Sequence, residues 1–91
     1  SDYLINLASV EYFKSIKKDF LKSKLINIVF KEKINLDYKV VGIFAKKARG
    51  LMSRYIIKNK IKNPQDLKEF NLERYKYNKI FSSDTDWVFT R

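Results

Sequence analysis

Residues 25–33, Leu-Ile-Asn-Ile-Val-Phe-Lys-Glu-Lys, and residues 38–45, Tyr-Lys-Val-Val-Gly-Ile-Phe-Ala, carry the two clearest strand patterns in the chain. On the first, Ile26, Ile28 and Phe30 share one face, with Leu25 and Val29 on the other. On the second, Tyr38, Val40 and Phe44 oppose Val41, Ile43 and Ala45. Successive side chains of a strand point to opposite faces, so both segments are apolar on both sides. The connection 34–37 is a normal hairpin length. The reading is an antiparallel hairpin at the centre of an α+β fold. Strands apolar on both faces need cover on both sides. A chain of 91 residues can hardly supply that much, so more polypeptide is expected around this sheet.

Working outward toward the N-terminus, residues 3–7 form a short β-type run, and Ser9 offers a hydroxyl N-cap for a helix over 10–18. Val10, Phe13 and Ile16 recur there at helical spacing. Lys14, Lys17 and Lys18 fall in its second half, where cations suit the macrodipole.

In the other direction the spacing predicts a basic helix over 46–60, with Ala48, Leu51, Met52, Tyr55 and Ile56 as its apolar stripe. Its opposite face carries Lys46, Arg49, Gly50, Ser53 and Lys60, flanked by Lys47, Arg54 and Lys58. Glycine inside a helix costs about 1 kcal/mol relative to alanine. Gly50 is therefore read as making room for another backbone or a ligand. Ile57 also lies on the polar side, which calls for a neighbouring segment or partner over part of it. Asn63 as N-cap and Pro64 as first helical residue start a short helix over 64–70, with Leu67 and Phe70 as core contacts. A closing hairpin is expected over 74–91, with Tyr75, Tyr77 and Phe81 on one strand and 87–91 on the other. Tyr75, Tyr77 and Trp87 are read as packing residues rather than base-stacking platforms.

The architecture expected is thus an antiparallel hairpin-based sheet with two or three helices packed on it, part of a larger single-domain α+β fold. A hydrophobic content of 45%, with seven Phe, six Tyr and one Trp, is that of a folded chain. The sequence has no cysteine and no histidine, which removes disulfides, thiolate metal sites and the commonest general base. Its carboxylates are scattered. No metal, no cofactor and no catalytic residue is expected. No apolar run approaches the roughly 20 residues of a membrane span, and no signal-peptide pattern opens the chain. A cytoplasmic location without membrane contact is the expectation. The chain opens Ser1-Asp2 and passes almost at once into an apolar stretch, as if cut from something longer.

Charge supplies the functional signal. Twenty basic residues face ten acidic ones, for a net +10, and the 28 positions 38–65 hold eight Lys or Arg and no Asp or Glu. An anionic partner follows. Phosphate is the anion of choice, because Arg49 and Arg54 can fork onto its oxygens while Lys46 and Lys47 act as point charges.

The block Phe44-Ala45-Lys46-Lys47-Ala48-Arg49-Gly50-Leu51-Met52-Ser53-Arg54, followed by Ile56-Ile57, resembles the YaaA family associated with peroxide stress. So do Asn6-Leu7-Ala8-Ser9 with Glu11-Tyr12-Phe13-Lys14, and Phe70-Asn71 with the aromatic residues after it. These blocks belong to the C-terminal third of the family's longer chains. The resemblance implies a cytoplasmic protein that limits oxidative damage, is associated with lower free intracellular iron, and binds DNA through a positively charged cleft.

It also implies a compact α+β unit with a helix-hairpin-helix-like element. That element is expected outside this stretch, since Gly42 and Gly50 are its only glycines and no Gly-x-Gly hairpin occurs. Lys46, Lys47, Arg49, Gly50, Ser53 and Arg54 carry over as the DNA- or phosphate-binding set, and Asn6, Ser9, Glu11, Tyr12, Lys14 and Asn71 as cleft-lining residues. Ser9 and Glu11 are expected to line the same cleft as Lys46 and Arg49. Val10 departs from the family pattern, where an acidic residue is usual, and leaves Glu11 as the only carboxylate of its block. The expected partners are duplex or junction DNA, the N-terminal remainder of the same polypeptide, and a second copy covering the outer sheet face. The alternative is an enzyme or binding protein for a phosphorylated or otherwise anionic small molecule, with Glu11 as acid or base and Arg49 and Arg54 as clamps.

Overall fold

A computed structural model describes residues 3–7, 10–12 and 24–91. Strand β1 is Tyr3–Leu7, β2 Val10–Tyr12, β3 Lys24–Ile34, β4 Asp37–Lys39, β5 Lys76–Tyr77 and β6 Asp86–Thr90. Helix α1 runs Gly42–Lys58, and two short 3-10 helices follow it at Pro64–Glu69 and Leu72–Arg74. The class is α+β.

The sheet runs in the order β2-β1-β3-β6-β5, and β4 pairs with the later part of β3. It is mixed rather than purely antiparallel. β3 lies parallel to β1 on one side and parallel to β6 on the other, while β1–β2, β3–β4 and β5–β6 are antiparallel. The reason lies in the stretch expected to be the second central strand. β4, Asp37–Lys39, keeps only Tyr38 and Lys39 of it, and the helix begins at Gly42, four residues before the predicted start. Ala45, Ala48, Met52 and Ile56 are buried at spacings of three and four, a helical stripe that extends upstream into the expected strand. Ile43, assigned to a strand face by alternation, is 76% exposed. The chain thus leaves the sheet after β4 and crosses its covered face as α1. It returns as the edge strand β5 and turns back as β6, which lies beside β3 in the parallel sense that such a long connection permits.

The predicted helix over 10–18 is corrected at its first three residues, which form β2 in register with β1, Leu7 opposite Val10 and Ile5 opposite Tyr12. Val and Tyr favour strands, and pairing with β1 overrides the helical spacing; residues 13–18 lie outside the described residues. The tight turn into β4 places Asn35 at φ 59°, a left-handed conformation that Asn tolerates better than most residues. The segment after Asn63 is a 3-10 helix, capped as expected: the Asn63 side-chain oxygen accepts from the Gln65 N–H at 3.0 Å. The closing hairpin pairs Tyr77 with Phe89 and Lys76 with Thr90.

One continuous core results. Ile5, Leu7, Ile26, Ile28 and Phe30 from the sheet meet the buried stripe of α1, with Leu67, Phe70, Tyr75, Trp87 and Phe89 closing the sides. Phe30 is its hub: its ring centroid lies 4.9 Å from Tyr75, 5.4 Å from Phe89 and 5.8 Å from Phe70, within the range of favourable offset and edge-to-face contacts. Tyr75 and Trp87 are core residues, 1% and 3% exposed. Leu25, on the other face of β3, is 45% exposed.

Candidate functional site

α1 displays the basic block on the outside of the molecule because its opposite stripe is small and apolar. Two alanines, Ala45 and Ala48, bring the first half of the helix close to the sheet, and Met52 and Ile56 anchor the second half. Lys46, Lys47 and Arg54 are exposed, and Arg49, Gly50 and Ser53 are half-buried. On a helix the neighbours of a residue lie three and four positions away. For Gly50 these are Lys46, Lys47, Ser53 and Arg54, so the position without a side chain is ringed by the cations of the block.

A Cβ built on Gly50 would meet only Arg54 Nη1, at 3.8 Å. No described backbone approaches it, and the notch opens outward. Among the described residues none of Lys46, Lys47, Arg49 and Arg54 takes part in an ion pair; the salt bridge there joins Arg91 to Glu32. Four cations on one helix therefore keep their charge uncompensated by the described chain, which favours an oxyanion in that notch.

The block divides along the helix. Lys47 lines a cavity of about 440 Å³ together with Phe44, Leu51, Tyr75 and Arg91. Arg54 and Lys58 line a wider groove of about 690 Å³ with Leu51, Ile57 and Leu72. The two hollows share Leu51 and lie end to end beside α1. Ile57, 68% exposed, belongs to the wall of this groove, which accounts for an apolar residue on the polar side of the helix.

Asn71 is exposed beside Leu72, and its side chain makes no capping bond. Asn6 and Glu11 are brought together by register, opposite each other on β1 and β2. The same row continues through Asn27 of β3 to Asp86 of β6, and Asn27 Nδ2 donates to Asp86 Oδ1 at 3.2 Å. This row alternates with the core residues Ile5 and Ile26, on whose face α1 packs. Tyr12 pairs with Ile5, and Ser9 and Lys14 lie outside the described residues. The described backbone therefore gathers Asn6 and Glu11 in a polar row across four strands, and the basic residues on a helix over the core face.

A second polar group escaped the sequence reading. The Tyr75 hydroxyl donates to Glu32 Oε2, and Arg91 Nε donates to Glu32 Oε1 at 2.6 Å. Arg91 Nη1 also donates to the Glu73 carbonyl at 3.1 Å, and the guanidinium carbon lies 4.4 Å from the Tyr75 ring centroid and 5.3 Å from that of Phe44. Burial, then the hydrogen bond to Glu32, pushes the Tyr75 phenol up to about 12. The phenol is held as a proton donor. The three residues are 16 or more positions apart in sequence; pairing of β3 with β6 brings Glu32 to Arg91, and pairing of β5 with β6 brings in Tyr75, which immediately precedes β5.

Among the described residues no helix is long and apolar enough to cross a membrane. Residues 1–80 match the family described as peroxide stress protein YaaA. A relative described as a UPF0246 protein from Colwellia psychrerythraea is 56% identical over 90 residues, covering 99% of this chain and 35% of the relative. One from Teredinibacter turnerae is 53% identical over 91 residues, covering 100% of this chain and 36% of the relative. One from Neisseria gonorrhoeae is 46% identical over 91 residues, covering 100% and 35%. The chain thus spans about a third of the length of the curated relatives it matches.

Proposed function

The chain belongs to the peroxide stress protein YaaA family, and from that premise we propose that it contributes a phosphate-contacting wall to a cytoplasmic, DNA-binding protective protein. The observation that carries this reading is the ring of Lys46, Lys47, Ser53 and Arg54 around the open Gly50, with Arg49 beside it and no ion pair among the described residues to neutralise any of these cations. Phosphate contacts of this kind position a protein on a duplex without reading its sequence. Binding is accordingly non-specific and strongly salt-dependent. The remainder of the longer polypeptide supplies the opposite wall, and the link to lower free iron belongs to that whole polypeptide rather than to α1.

The test is fluorescence anisotropy of labelled duplex and four-way-junction DNA across a salt series. Neutralising one cation that touches a phosphate should reduce the slope of log affinity against log salt by about 0.9. Lys46→Gln, Lys47→Gln and Arg49→Gln together should then flatten the slope by about 2 to 3 while the far-ultraviolet circular dichroism stays unchanged. An unaltered slope in the triple variant would exclude α1 as the contact.

A further inference from the structure

We propose that a second cavity, between the first 3-10 helix and the loop joining β5 to β6, binds the phosphate group of a small molecule. Its volume is about 270 Å³, and Lys68, Tyr77, Lys79, Ser83, Asp84 and Trp87 stand in its wall. The half-buried Lys68 ammonium rests over two rings, 4.7 Å from the Trp87 centroid and 5.2 Å from that of Tyr77. Contact with ring faces holds an ammonium in place but leaves its charge whole. Among the described residues Lys68 makes no ion pair, and neither does Lys79 at the rim.

The two serines of the loop differ in a way that matters. Ser82 Oγ accepts from the Val88 N–H at 2.8 Å and donates to the Asn78 carbonyl at 2.7 Å, so its hydroxyl is used in both senses. Ser83 Oγ accepts from two backbone N–H groups, Thr85 at 3.3 Å and Asp86 at 3.1 Å. A hydroxyl has two acceptor positions and one donor, so the Ser83 hydrogen remains to be given to something else. Two ammoniums and one hydroxyl donor thus stand in a wall that holds a single carboxylate, Asp84. The wall carries one net positive charge, and its floor is aromatic. That combination selects an oxyanion attached to a small, flat, apolar group: a phosphate monoester. This site shares no residue with the basic face of α1.

Trp87 is the sole tryptophan, so its fluorescence reads the cavity directly. Titration with phenyl phosphate at millimolar concentration should change that emission saturably, and phenol should not. Lys68→Gln and Ser83→Ala should each weaken binding about tenfold, the scale of one charge-assisted hydrogen bond. Lys79→Gln, at an exposed position that cannot disturb the fold, should weaken it several-fold, and Lys46→Gln should leave it unchanged. Absence of a saturable response, equal binding of phenol, or unchanged affinity in Lys79→Gln together with Lys68→Gln would overturn the proposal. Loss of binding in Lys46→Gln would overturn it too, by moving the site to α1.

Discussion

Arg91 Nε lies 2.6 Å from Glu32 Oε1, tying the end of β6 to the second half of β3. The side chains are only 20% and 12% exposed, and the other Glu32 oxygen accepts the Tyr75 hydroxyl. Removing the carboxylate therefore strands two donors in a half-buried place. Glu32→Ala is expected to cost about 2 to 3 kcal/mol, the range for leaving partly buried polar partners unpaired. Tyr75→Phe, which keeps the ring and the Arg91 contact, should cost about 1 kcal/mol. Urea denaturation of both variants and of the double mutant measures the coupling. Strict additivity would mean that the three groups do not act together.

Tyr75 makes stability pH-dependent at the alkaline end. Its phenol rises from the ordinary 10.0 to about 12 in the folded chain, through burial first and the Glu32 hydrogen bond second. Below pH 10 the phenol is protonated in both states and the stabilisation is complete. Between pH 10 and about 12 the unfolded chain gives up the proton while the folded chain still holds it, so stability falls as pH rises. Denaturation midpoints through that window should fall more steeply for the native chain than for Tyr75→Phe. Parallel slopes would count against the assignment.

The parts of the fold that were legible in the sequence are those in which one periodicity had no rival. The alternation of Ile26, Ile28 and Phe30 gave β3, and Asn63-Pro64 gave the capped turn with Leu67 and Phe70 inward. Residues 40–45 satisfied both a strand and a helix pattern, and only the burial of Ala45 in line with Ala48 and Met52 decides between them. A strand there would leave the sheet antiparallel. The helix instead belongs to the long connection after which β6 lies parallel to β3. The candidate site divides in the same way. The basic face of α1 was readable because it is local, whereas the Glu32–Tyr75–Arg91 group arises from pairing between distant strands, which no local spacing encodes.

Phe30 touches three aromatic rings at once and is 1% exposed. Phe30→Ala should remove about 3 to 5 kcal/mol, combining the burial forfeited with the cavity left among rings too rigid to collapse into it. That approaches the whole stability expected of 91 residues, so loss of the cooperative thermal transition is expected. Phe30→Leu, which keeps most of the volume, should retain a transition at lower temperature. A Phe30→Ala protein melting near the native temperature would show that the core is not organised around this ring.

Gly50 separates stability from function. It lies in the interior of α1, and a Cβ there would meet nothing closer than the end of the flexible Arg54 side chain, at 3.8 Å. Gly50→Ala therefore meets no clash and should stabilise the chain by up to about 1 kcal/mol through helix propensity alone. If the notch accepts a phosphate, the added methyl intrudes where an oxygen would approach, while Arg54 keeps its place in ordinary contact with it. Duplex affinity should then fall several-fold in a protein that melts at a higher temperature. The opposite directions matter, because a substitution that merely damaged the fold would lower both. Differential scanning fluorimetry and anisotropy on the same preparation decide it. A more stable Gly50→Ala protein with undiminished affinity would place the phosphate contacts away from the notch. In that case the helix would bind through the outer cations Lys46, Lys47 and Arg54, without close approach to its backbone.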